Sequence, residues 1–211
     1  MSTQTLSTRT IEGWLIKYGL PSYPIDLPSG ATVQEVILQD AFAKSVDAIN
    51  AGEVDPIECN IEHIPDDALA RLGETGVNVA IENRPEGVYA TITLAADSVS
   101  DDIFDRISAG FVKGLSVEFD TPEGVEPSYE VIDGTYIRQL SQLVLRGFAI
   151  TAAPFYPDAQ IVKATDGNTV TMQRSIQAAE VNTLAVEVAR VAREREWDMA
   201  ERQAFLLGIG R

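Results

Sequence analysis

The spacing of apolar residues divides the chain into short strands and short helices, followed by a longer helical segment. Residues 11–19, Ile-Glu-Gly-Trp-Leu-Ile-Lys-Tyr-Gly, read as a first strand, and a loop rich in Pro, Ser and Gly runs on to Gly30. Residues 32–39 are rich in β-branched residues and predict a second strand. Asp40 is placed to cap a helix whose apolar positions Phe42, Val46 and Ile49 share one face, and the helix ends near Gly52. Residues 57–63 alternate, so a strand there puts Ile57, Cys59, Ile61 and His63 on one side and Glu58, Asn60 and Glu62 on the other. Residues 65–73 read as a short helix. Residues 78–83 and 88–94 read as a hairpin about the turn Arg84-Pro-Glu-Gly87, with Val88, Ala90, Ile92 and Leu94 alternating against Tyr89, Thr91 and Thr93.

Ser98, with Asp101 and Asp102 behind it, is placed to open a helix whose inward residues are Ile103 and Ile107 and whose stop is Gly110. The stretch Gly110-Phe-Val-Lys-Gly-Leu-Ser-Val-Glu-Phe119 then reads as a turn with two glycines, leading into a strand that carries Ser116. Residues 121–134, with two prolines and several acids, read as an exposed loop. The nearly unbroken apolar run at 143–151 has the character of a central strand covered on both faces. Residues 164–175 read as a polar linker. From Ile176 the pattern turns helical, with Val181, Leu184, Val188 and Val191 on one stripe. This organisation gives a domain over residues 1–163, a linker over 164–175 and a helical tail over 176–211, either docked on the core or binding a partner.

Charge changes the picture more than composition does. Sixteen basic residues against 32 acidic ones give a net charge of −16, a field that repels phosphate backbones and anionic lipid. Nucleic acid and membrane are therefore not expected partners, and no apolar run approaches the roughly 20 residues that span a bilayer. The segment from Ile176 holds five arginines and six acids, so nearly all the negative charge lies ahead of it. A single cysteine, Cys59, excludes an internal disulfide framework and a multi-cysteine zinc site.

Ser116 becomes a nucleophile only with a base beside it, and the one histidine, His63, is the only imidazole that can serve. Gly114-x-Ser116-x-Glu118 departs from a hydrolase nucleophile elbow, because glutamate replaces the last small residue and the chain continues as strand. Taken alone, Ser116 reads as a structural strand residue, His63 as a satisfied histidine, Cys59 as a core thiol, and Asp101 and Asp102 as helix-start residues. No metal or organic cofactor is called for by this residue set.

The order of several pieces over residues 10–160 resembles the prohead maturation proteases of tailed bacteriophages, relatives of the herpesvirus assemblin proteases. The pieces are Ile11-Glu-Gly-Trp, Gln39-Asp-Ala-Phe42, Ile57-Glu-Cys-Asn-Ile-Glu-His63, Pro85-Glu-Gly-Val-Tyr-Ala90, the stretch around Ser116, and Leu145 to Ala159. The resemblance implies an α+β fold with a mostly antiparallel, barrel-like β core flanked by helices. It implies Ser116 as nucleophile and His63 as base of a serine endopeptidase. The substrates would be phage scaffold and major capsid protein, and then the chain itself, cut inside the assembling prohead in the host cytoplasm, with a homo-oligomer left open. Where the family carries an acidic third member, this chain has Gly147, and Glu118 stands where a small residue is usual. Ser116 and Glu118 share a strand face. If the strands holding 118 and 147 are neighbours, Glu118 can reach across the space above Gly147 and orient His63. The alternatives are a protease-like fold acting in assembly without catalysis, and an acidic binding module unrelated to phage assembly.

Overall fold

The computed structural model describes residues 9–26, 30–55, 57–71, 78–132, 135–167 and 169–173. The helix expected from Ile176 lies outside them. The described residues form a predominantly β structure with two helices and three sheets. The first sheet joins β13 (Thr169–Gln173), β12 (Ile161–Asp166), β1 (Arg9–Lys17), β7 (Gly87–Thr93) and β6 (Asn78–Arg84), in that order. The second joins β2 (Ile25–Asp26), β3 (Thr32–Ile37), β10 (Thr135–Leu140) and β9 (Ser128–Ile132). The third joins β5 (Ile64–Arg71), β4 (Glu58–Ile61), β11 (Val144–Thr151) and β8 (Gly114–Asp120).

Among the described residues no sheet closes, so the expected barrel is not formed. Its curl is begun: residues 159–161 bond to Trp14 on one side and to Lys113 and Leu115 on the other, stitching the first sheet to the third. Beyond Leu115 these bonds stop. The pairing is mostly antiparallel, as expected, with β3 and β10, and β4 and β11, running parallel.

One apolar cluster fills the space between the elements. Ile11, Leu15, Phe42, Ile92, Ile107, Leu115, Phe148 and Ile150 all lie within it. The helix α1 (Ala43–Asn50) lays Val46 and Ile49 on that core. Asp40 does not cap it: the N-cap position is Phe42, with no side-chain cap bond, and Asp40 instead takes a left-handed φ of 61° and accepts from Asn83 Nδ2. In α2 (Ser98–Ser108) the capping residue is Asp97, one position ahead of the expected serine, and its carboxylate accepts from the Ser100 amide at 2.8 Å. Gly110, at φ 78°, takes the chain out of the helix.

Three further expectations are overturned. Residues 64–71 form β5 and not a helix, because the chain turns back at once and finds backbone partners along β4. Tertiary pairing there outweighs a modest helical preference, and Pro65 is tolerated because β5 is an edge strand. Within the acidic loop, Ser128–Ile132 pairs with β10. The polar stretch after 163 completes β12 and then forms β13, with Gly167 at φ 59° in the turn between them. Both segments hold too few apolar residues for a strand period to stand out. No helix among the described residues is long and apolar enough to cross a membrane.

Candidate active site

The third sheet builds the site. β11 lies between β4, to which it is parallel, and β8, to which it is antiparallel. In register, Glu58, Gly147 and Glu118 form one row across the three strands, and Asn60, Ala149 and Ser116 form the next. Cross-strand partners share a face. The opposite face carries Cys59, Phe148, Ile150 and Leu115, all fully buried in the core. The face bearing Ser116 is thus polar at its two flanks, with the small residues Gly147 and Ala149 as its floor.

Ser116 is 7% exposed. Glu118, two residues on, extends over the neighbouring strand: a β-carbon built on Gly147 would lie 3.4 Å from Glu118 Oε2. The vacancy above Gly147 is where the carboxylate sits. Its other oxygen, Oε1, accepts a hydrogen bond from His63 Nδ1 at 2.6 Å. A carboxylate can only accept, so this bond places the ring proton on Nδ1 and leaves Nε2 of the neutral imidazole with a free lone pair. The two side chains are 38% and 40% exposed, open enough for a substrate to reach the ring. Among the described residues no hydrogen bond joins Ser116 to His63.

His63 reaches this face by a route that alternation along β4 does not predict. The strand ends at Ile61, and Glu62 and His63 form the two-residue turn into β5, with φ values of 50° and 61°. Left-handed backbone costs a residue with a side chain about 1–2 kcal/mol. It also redirects the chain, so the imidazole joins Glu118 on the polar face instead of sharing the core face with Cys59. Cys59 itself is fully buried in the apolar core; burial pushes its thiol far above the ordinary range, which disqualifies it as a nucleophile.

Two site residues were not singled out from the sequence. Glu62 accepts from Thr151 Oγ1 at 2.6 Å and from the Ala152 amide at 2.8 Å. Asn60, in the row of Ser116, is buried with its Oδ1 lacking a hydrogen-bond partner among the described residues. Their signal in the sequence was only that they alternate with Cys59 and Ile61. Asp101 and Asp102, the helix-start acids, pair with Arg9 and Arg106 respectively. Among the described residues no group of three or more His, Cys, Asp or Glu is arranged to hold a metal ion.

The fold is similar to that of the Kaposi's sarcoma herpesvirus (KSHV) protease solved with a hexapeptide phosphonate inhibitor, at 11% identity and a TM-score of 0.41, covering 90% of this chain and 78% of that one. The bacteriophage T4 capsid assembly protease matches at 13% identity and a TM-score of 0.38, covering 70% of this chain and 99% of the other. No curated protein sequence matches. The family model for the caudovirus prohead serine protease matches residues 1–174, a span that includes every strand described and all the residues of the site. The chain belongs to the caudovirus prohead serine protease family.

Proposed function

We propose that the chain is a serine endopeptidase of prohead maturation with Ser116 as nucleophile, His63 as general base and Glu118 as the third member. The single observation that carries this reading is the 2.6 Å bond from His63 Nδ1 to Glu118 Oε1, made on the face and beside the row that hold Ser116. The Ser116 hydroxyl attacks the scissile carbonyl as its proton passes to His63 Nε2. The Nδ1 proton stays between ring and carboxylate, and the Glu118 charge stabilises the imidazolium. His63 then protonates the leaving amine, and a water repeats the sequence on the acyl-enzyme. Backbone amides are assigned to the oxyanion, because no side chain stands out for that role.

Membership of the family supports scaffold and major capsid protein as substrates, with self-cleavage inside the assembling prohead of the infected cell. The test is intact-mass analysis of the purified chain over time, alone and with the scaffold and capsid proteins of the same phage. Discrete fragments are expected from the wild type and from neither Ser116→Ala nor His63→Ala. An uncut wild type with both partners present would instead favour a protease-like fold that serves assembly without catalysis.

A further inference from the structure

Glu62 and His63 occupy the two central positions of a two-residue hairpin loop, both with positive φ. Such loops are type I′ turns, and they favour Asn-Gly because a β-carbon resists this backbone region. Glutamate followed by histidine is a poor choice on turn chemistry alone. The conformation persists only if contacts outside the turn over-determine it.

Those contacts come from the end of β11. Both carboxylate oxygens of Glu62 are engaged there, by Thr151 Oγ1 and by the Ala152 amide. The Glu62 amide donates to Ile150 O at 3.1 Å, and Thr151 Oγ1 in turn accepts from the Ala153 amide at 3.1 Å. Glu62 therefore ties the turn to the same strand that supplies Gly147 and Ala149 as the floor of the site.

We propose that Glu62 is a positioning residue whose two-oxygen clamp on Thr151 and Ala152 locks the left-handed turn that brings the His63 imidazole onto the Ser116 and Glu118 face. The inference rests on His63 being the base. With the clamp released, residues 62 and 63 relax toward extended backbone. Alternation along β4 then carries residue 63 to the side of Cys59 and Ile61, away from Glu118. The clamp decides which face of the sheet bears the ring.

Because the chain has one histidine, the downfield proton NMR signal of the His63 Nδ1–H bonded to Glu118 needs no separation from other imidazoles. Labelling by an alkyl fluorophosphonate, followed by intact mass, reports the reactivity of Ser116. Glu62→Ala removes both bonds of the clamp and leaves a β-carbon that resists the left-handed turn. Glu62→Gln keeps an oxygen for the Ala152 amide and an NH₂ that can donate to Thr151 Oγ1.

The expected result is that Glu62→Ala loses the ring signal and labels roughly ten- to a hundredfold more slowly, with a cooperative melting transition retained. Glu62→Gln should stay within a few fold. An unchanged ring signal and labelling rate in Glu62→Ala would overturn the proposal, since the turn would then place the ring without the clamp. Should that variant not fold, Thr151→Val, which removes the hydroxyl of the clamp, is judged by the same two readouts. A wild type that never labels would defeat the protease reading, while the ring signal would still decide whether Glu62 places the imidazole.

Discussion

Glu118 and Gly147 are cross-strand neighbours that fit one another across β8 and β11. The carboxylate lies 3.4 Å from where a β-carbon on residue 147 would stand, in the space that a side chain longer than alanine there would enter. Glu118→Gln should lower turnover by about 10²- to 10⁴-fold, because an amide no longer fixes the Nδ1–H tautomer or stabilises the imidazolium; fluorophosphonate labelling rates check this. Gly147→Asp alone should also be damaging, as it crowds a second carboxylate against the first. Combined with Glu118→Ala, however, it should recover part of the lost rate, since a carboxylate then returns from the neighbouring strand. Failure of that rescue would show that only β8 can present the acid. This pairing was legible in the sequence: Ser116 and Glu118 stand two apart, and the glycine falls where an acid was expected. The side of the sheet on which His63 lies was not legible. Period-two counting grouped it with Cys59, and only the two left-handed residues, 62 and 63, redirect it.

The elements that deliver the site residues are short and held at their ends. β8 begins at Gly114, where an added β-carbon would lie 2.7 Å from two ring carbons of Pro154. A proline ring yields little, so Gly114→Ala must push β8 and the 152–155 loop apart. The expected loss is about 1–3 kcal/mol, the usual range for overpacking, read as a lower urea midpoint at unchanged slope. Labelling of Ser116, the proposed nucleophile, should slow in the same variant, because it lies only two residues away. Strands with clean alternation, such as β7, and the central apolar strand β11 were readable from their pattern. β5, β9 and β13 were not, because their sequences are short on apolar residues and pairing with a neighbouring strand supplies the order that periodicity would otherwise reveal.

At the scale of the whole molecule, the core sets a limit on alkaline stability. Burial pushes the Tyr18 phenol up to about 12. Tyr156 is raised further by burial and by the Glu35 carboxylate to which its hydroxyl donates at 3.2 Å, and Tyr89 is raised by burial and by Glu12. The folded state therefore keeps protons that the unfolded chain loses near the ordinary value of 10.0, so the stability these groups provide is complete below that pH and declines above it. Lys17, lowered mainly by burial, acts in the opposite direction below its ordinary value of 10.5. The melting temperature should fall steeply from pH 10 upward, and Tyr156→Phe should flatten the decline by up to about 1.4 kcal/mol per pH unit. The order of strands in the third sheet also bears on when the chain can act. β4 and β8 do not touch each other in the ladder, and each is fastened to β11, the last of the three to leave the ribosome. Until residue 151 is made, His63 and Ser116 have no common support, so on the proposed reading a growing chain short of β11 should neither cleave nor label.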